Sequence, residues 1–230
     1  MDYQDKNLKY IDAEAYDKRG ENSILENYVL EFWQPFLKNK IRELSLGKIV
    51  ADLGCGTCEY TQAAEDAKKI YAVDISSEML KICREKMKSF PQVEIINLSI
   101  SDINLPPADL VITIGVWEYI EPVVLFNKIK EMTRQGSRVM AVFPNIYNDL
   151  NWMRSIFKMK RVAIKPGFIR TLFKSDFKLI ESASFGAVSW VPKPFQFLAL
   201  PVWKFCDFIW QPFQKILPLG VNVYYLFERK

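Results

Sequence analysis

No histidine occurs among the 230 residues, which removes the commonest general base and the imidazole metal ligand. Ser-His-Asp, Cys-His and histidine-metal chemistries are therefore excluded. Cysteine is scarce: Cys55, Cys58, Cys83 and Cys206 are too few to staple a chain this long, which can bury a core without them. Cys55 and Cys58 form a C-x-x-C pair, but no second pair completes a tetrahedral zinc site, so no metal is expected. There is no internal repeat, no low-complexity tract and no Gly/Ser linker that would divide the chain. No stretch reaches the roughly 18 uncharged apolar residues of a membrane span. Met1-Asp2-Tyr3-Gln4-Asp5-Lys6 has neither the basic start nor the apolar run of a signal peptide, so a cytoplasmic location is expected. What is present, 50% hydrophobic and 25% charged residues, is the composition of one globular domain.

Charge is unevenly spread although the net value is only +4. Arg154, Lys158, Lys160, Arg161, Lys165, Arg170, Lys174 and Lys178 are opposed only by Asp176 between Asn151 and Leu179. From Ser182 to Phe227 the charges thin to Lys193, Lys204, Asp207 and Lys215 while aromatics accumulate, Phe197, Trp203, Phe205, Phe208 and Trp210 among them.

Hydrophobic periodicity predicts an amphipathic helix over 23–46, opened by the capping box Ser23-x-x-Glu26 and kinked at Pro35. Short apolar runs predict strands at 48–52, 70–73, 93–98, 110–114 and 138–143. Between them lie expected helices at 59–68, after Ser76 (with Met79, Leu80, Cys83 and Met87 on one face) and at 123–132. Strands alternating with helices imply parallel pairing through right-handed crossovers, hence an α/β, Rossmann-like doubly wound sheet.

In such a sheet ligands bind beyond the carboxyl ends of the strands. Three of those ends carry distinctive residues: Asp52-Leu53-Gly54-Cys55-Gly56, Asp74-Ile75-Ser76, and Ser101-Asp102 followed by Gly115. The glycines permit a tight turn and close approach of backbone to ligand, and an acid at a second strand end can accept both hydroxyls of a ribose. Each acid also has a plain alternative as a turn or helix-start residue. NAD(P) is one candidate, since Asp74 follows Gly54 at about the 20-residue spacing of dinucleotide sites. The third glycine of that fingerprint is missing, however, and Asp52 stands where a pyrophosphate would be repelled. The charge at the turn calls for a cationic ligand.

S-adenosylmethionine has that sign. The chain resembles the class I S-adenosylmethionine-dependent methyltransferases over residues 48–145 and more loosely to the C-terminus. The resemblance is carried by Val50-Ala51-Asp52-Leu53-Gly54-Cys55-Gly56-Thr57, by Tyr71-Ala72-Val73-Asp74-Ile75-Ser76-Ser77-Glu78-Met79-Leu80, by Asp109 to Tyr119 and by Val142-Phe143-Pro144-Asn145. It departs at Cys58, where the family usually has glycine. The resemblance implies a seven-stranded, mostly parallel sheet with an antiparallel last strand, 177–188 and 221–227 being the final two. It also implies that Asp52, Leu53, Gly54, Cys55 and Gly56 hold the methionine end, and Asp74 the ribose. Ile75, Ser76 and Met79 would line the adenosine, Ser101, Asp102 and Ile103 its adenine edge, and Gly115 the floor.

Methyl transfer is an in-line displacement that needs positioning more than covalent catalysis. Many relatives have histidine where this chain has Tyr119. Glu118, Tyr119, Tyr147 and Asp149 are the polar residues nearest the expected strand ends that could orient or deprotonate an acceptor, and each has a packing or loop alternative. Pro144-Asn145-Ile146-Tyr147 is superficially similar to the Asn-Pro-Pro-Tyr signature of adenine and glutamine methyltransferases, but the order differs and the second proline is missing.

The resemblance divides the single domain into an N-terminal helical lid (1–46, with Tyr10, Tyr16 and Arg19 ahead of the long helix), a cofactor-binding core (47–145), and acceptor-side inserts with the last two strands (146–230). The basic and aromatic inserts suit a small hydrophobic or lipid-like acceptor, O-methylation being favoured, or a surface that rests on an anionic membrane; the plain alternative is a buried helix. Nucleic acid is the weaker partner reading. An NAD(P)-dependent oxidoreductase, an RNA or protein methyltransferase and a non-catalytic partner subunit remain as alternatives.

Overall fold

The computed structural model describes residues 12–18, 24–148, 163–186, 191, 195–210, 213 and 220–230. Apolar and β-branched runs form the strands β1 (Ile49–Leu53), β2 (Lys69–Asp74), β3 (Val93–Asn97), β4 (Ala108–Ile114), β5 (Thr133–Pro144), β6 (Phe177–Phe185) and β7 (Asn222–Arg229). They make one sheet in the order β3-β2-β1-β4-β5-β7-β6. β1 pairs in parallel with β2 and β4, β2 with β3 and β4 with β5, whereas β7 runs antiparallel to β5 and β6. This is the seven-stranded, mostly parallel sheet with an antiparallel last strand expected above.

Because successive side chains point to opposite faces, each central strand feeds two cores. Leu110 and Ile112 of β4 and Met140 and Val142 of β5 pack with Trp33, Leu37, Ile41 and Leu44 of α2 (Ile24–Ser45). Val111, Val139, Ala141 and Phe143 face the other way, onto Leu125, Phe126 and Ile129 of α4 (Pro122–Glu131) and Ile169 and Phe173 of α5 (Pro166–Phe173). α3 (Ser77–Lys86) starts where the Ser76 hydroxyl accepts the Met79 amide, and it buries Met79, Leu80 and Cys83. α1 (Ala13–Asp17) and α6 (Gln196–Trp210) complete the described helices.

Three differences from the sequence expectation have physical causes. Residues 59–68 form only a short 3-10 turn at Thr61–Ala64. The segment is pinned by Cys58 at one end and at the other by the Lys68 amide bonded to the Lys48 carbonyl, which leaves too little chain for a regular helix. β5 begins five residues earlier than the apolar run, at Thr133, because the irregular pairing of Ala108 with Thr133 extends the ladder past Gly136. Cys58 pairs with Cys83 in a disulfide, not with Cys55, its neighbour in the C-x-x-C spacing. The bridge joins the glycine turn to α3. The capping box at Ser23 lies outside the described residues.

Candidate active site

β1 ends at Leu53 and the chain turns through Gly54 and Gly56, both with positive φ (76° and 55°). At Gly54 the requirement is double, since a Cβ there would lie 2.7 Å from Val116 Cγ2. Cys58 holds φ 63°, the left-handed conformation that glycine adopts freely, at a cost of about 1 kcal/mol or more for a side-chain-bearing residue.

Asp74, at the end of β2, locks this turn to the next. Its Oδ2 accepts the Gly56 amide at 2.9 Å and its Oδ1 the Ser76 amide at 2.8 Å. The Asn97 side-chain amide donates to the carbonyls of Asp74 and Ile75, fixing the turn from the β3 side. Burial raises the Asp74 carboxyl above its ordinary value, against the lowering effect of those amides.

These turns border a cavity of about 770 Å³, open solvent at its mouth included. Of the residues expected to bind the cofactor, Gly54, Gly56, Asp74, Ile75, Ser76, Met79 and Gly115 stand on its wall. Tyr16, Ser99, Ile100, Val116, Tyr119 and Ile120 share the wall.

Several anticipated residues lie elsewhere. Leu53 is buried in the core and Cys55 sits beside the disulfide, its thiol pushed well up by burial. Ser101 and Asp102, joined by a side-chain hydrogen bond, stand off the wall and Ile103 is in the core; the turn presents Ser99 and Ile100 instead, a shift of about two residues. Glu118 is buried, Tyr147 is exposed away from the cavity, and Asp149 lies outside the described residues. Of the three described polar candidates, Tyr119 is on the cavity wall. Ile100 and Ile120 lie outside the quoted motifs, and Val116 lies within the Asp109 to Tyr119 segment with no role assigned to it; the i, i+4 spacing of Val116 and Ile120 after β4 is the available signal.

Asp52 does not touch the cavity. It is 3% exposed beneath the turn, where its Oδ2 accepts the Thr61 hydroxyl at 2.6 Å. Burial above all pushes its carboxyl up to about 7, the Asp74 charge adding to the effect and the Thr61 bond opposing it.

Tyr16 reaches the wall from α1, whose first turn is capped by Asp12 accepting the amides of Glu14 and Ala15. Asp17 at the end of α1 accepts the Thr57 hydroxyl at 2.7 Å and pairs with Lys86 Nζ of α3 at 2.6 Å. Glu59 joins this cluster by pairing with Lys38 and Lys86, so α1, α2, the glycine turn and α3 are tied together at the mouth. Tyr10 and Arg19, the other expected lid residues, are outside the described ones.

The residues suit an adenosine-bearing cation: a carboxylate with lone pairs left over from two amides, a glycine turn that admits close backbone approach, an apolar wall and a buried acid behind it. Residues 51–141 match the family described as a methyltransferase domain. No protein of curated function matches the chain in sequence. Among solved structures, magnesium protoporphyrin IX methyltransferase from Synechocystis PCC 6803 with bound S-adenosylhomocysteine superposes at TM-score 0.68 and 13% identity, over 96% of this chain and 97% of that one. The N-methyltransferase NodS from Bradyrhizobium japonicum WM9 with the same compound gives 0.62 and 11%, over 96% and 99%. A putative methyltransferase of Haloferax volcanii, in complex with the Trm112 activator, gives 0.68 and 14%, over 94% and 96%. At such identities the likeness is one of fold. Residues 51–141 thus match a methyltransferase-domain family over the glycine turn and the strands around it, and the chain shares the fold of these methyltransferase structures.

Proposed function

We propose that the chain transfers a methyl group to a small, hydrophobic or lipid-like acceptor, O-methylation being the favoured chemistry. The observation that supports this reading is the part of the cavity wall beyond the adenosine-flanking Ile75, Met79 and Ile100, where, apart from Tyr119, the side chains are those of Val116 and Ile120. A charged or extended polar acceptor would leave its groups unpaired against such a surface.

When bound, S-adenosylmethionine supplies a methyl on a sulfonium centre that departs as a neutral thioether. Asp74 uses its remaining lone pairs for the ribose hydroxyls, with Gly56 and Ser76 holding the carboxylate in place. Asp52, when ionised, favours positive charge at the glycine turn. Ile75, Met79 and Ile100 flank the adenosine, and Tyr16 covers it and limits access of water. Tyr119 orients the acceptor by its hydroxyl; with no histidine in the chain, the acceptor proton leaves to water. The division into lid, core and acceptor-side inserts at 1–46, 47–145 and 146–230 belongs to the same reading.

The test is untargeted: purified protein and methyl-labelled donor are incubated with a host extract, which is then partitioned into lipid, small-molecule, protein and RNA fractions. Label in an organic-soluble product, released by hydrolysis as expected of a methyl ester or retained as in an ether, supports the reading. Label confined to protein or RNA refutes it.

A further inference from the structure

α6 has its polarity reversed. A surface helix of a water-soluble domain turns its apolar stripe to the core and its polar residues outward. Here Gln196, Trp203 and Asp207 are buried, and Ala199 and Leu200 pack with them against Tyr28, Val29 and Val221. The Tyr28 hydroxyl of α2 donates to the Asp207 carboxylate, and the Gln196 amide donates to the Val191 carbonyl, so both polar side chains are anchored inward. Phe197, Leu198, Val202, Phe205, Phe208 and Ile209 point outward and are 48–75% exposed. At 3.6 residues per turn these six fall in one arc of about 140°. Lys204 borders that arc on one side and Cys206 on the other, both exposed. Phe195 and Phe213, in chain just before and just beyond the helix, are also about half exposed.

We infer that this face of α6 lies in the interfacial layer of an anionic lipid bilayer. The five exposed phenylalanines on and beside the helix alone present on the order of 600 Å² of apolar surface, at roughly 200 Å² for a full side chain, and this already equals the largest patch usual on a monomer. Protein interfaces of ordinary kind carry about one hydrogen bond per 100–200 Å² and a polar rim. The arc offers no side-chain donor or acceptor. Its charge complements lipid headgroups of negative sign: between residues 187 and 220 the charged residues are Lys193, Lys204, Asp207 and Lys215, and Asp207, the acid, is turned inward. No helix among the described residues is long and apolar enough to cross a membrane. A 15-residue helix spans about 22 Å, short of the ~30 Å hydrocarbon core, so α6 lies in the membrane plane.

The placement also joins the surface to the catalytic end of the sheet. α6 sits in the connection between β6 and β7, and Phe185 and Pro144, at the carboxyl ends of β6 and β5, both pair with Asn222 at the start of β7. The same end of β4 leads to Gly115, whose amide bonds the Val142 carbonyl.

Flotation of the purified full-length protein with phosphatidylcholine vesicles, with and without 30 mole per cent phosphatidylglycerol, tests this. The wild type is expected to float with the anionic vesicles and to be released by high salt only in part. Phe205→Ser combined with Phe208→Ser should weaken binding about 100-fold, since each ring contributes roughly tenfold on insertion. Lys204→Glu should weaken binding to the anionic vesicles severalfold and leave any binding to neutral ones unchanged. Because the substituted side chains point outward, the melting temperature and S-adenosylhomocysteine affinity of each variant should match the wild type; this reads folding separately from docking, and the inference stands whether or not the acceptor is a lipid. Absence of flotation by the wild type overturns it. So does a wild-type dimer in light scattering that the paired serine substitution dissociates, which would assign the face to a second copy of the chain.

Discussion

Replacing Asp52 by asparagine removes a charge while keeping the shape and an acceptor for the Thr61 hydroxyl. The carboxyl is pushed up to about 7 by burial, against about 4 in an unfolded chain. Between those values the folded state holds a proton that the unfolded state releases, so the wild type loses stability as pH rises from about 4 and carries the full loss above about 7. Three pH units correspond to about 4 kcal/mol. The Asp52→Asn variant has no such loss. It should exceed the wild type by only about 1 kcal/mol at pH 5 and by up to about 4 kcal/mol at pH 8, the latter about 10 °C in melting temperature for a chain of this size. Binding moves in the opposite direction. A sulfonium at roughly 6 Å from an ionised Asp52, at an effective dielectric constant near 20, gains about 3 kcal/mol. S-adenosylmethionine should therefore bind the variant about 100-fold more weakly at pH 8, and S-adenosylhomocysteine, which lacks the sulfonium, less so. In the wild type the affinity for S-adenosylmethionine should tighten as pH rises through 7; in the variant it should be flat. Titration calorimetry and differential scanning fluorimetry from pH 5 to 8 measure both. Equal affinity of variant and wild type at pH 8 would refute the assignment of charge selection to Asp52.

Gly54→Ala should abolish measurable donor binding and destabilise the fold by about 2 kcal/mol or more, because the new Cβ meets Val116 at 2.7 Å in a left-handed conformation; pairing it with Val116→Ala should restore part of the stability in a urea melt. Asp74→Ala leaves the Gly56 and Ser76 amides without their acceptor and the ribose without its partner, so donor affinity should fall about 100-fold by calorimetry; unchanged affinity would remove Asp74 from the site. Cys83→Ser opens a bridge closing a sequence separation of 25 residues, for which loop entropy predicts a loss of about 3 kcal/mol, read as a lower urea midpoint that added reductant reproduces in the wild type.

Much of this protein was legible in the linear chain because the relevant signals are local. Alternating short apolar runs and amphipathic stretches determined a parallel α/β sheet, since the side-chain period of each element follows from its own backbone geometry. Gly54, Gly56, Asp74 and Ser76 could be named because a tight turn, a strand-end acid and a helix cap each leave a signature within a few residues. Tertiary structure decided what depends on distant segments meeting. Thr61 folds under β1 and covers Asp52, and that burial, against the opposing Thr61 hydrogen bond, pushes the carboxyl up to about 7 and keeps it off the cavity wall. Cys83 reaches Cys58 only because α3 packs beside the glycine turn, a pairing that no spacing in the sequence indicates. The polarity of α6 was the least readable of all: its apolar composition fits a buried helix equally well, and only the inward anchoring of Asp207 by Tyr28, a residue 179 positions away, turned its phenylalanines outward.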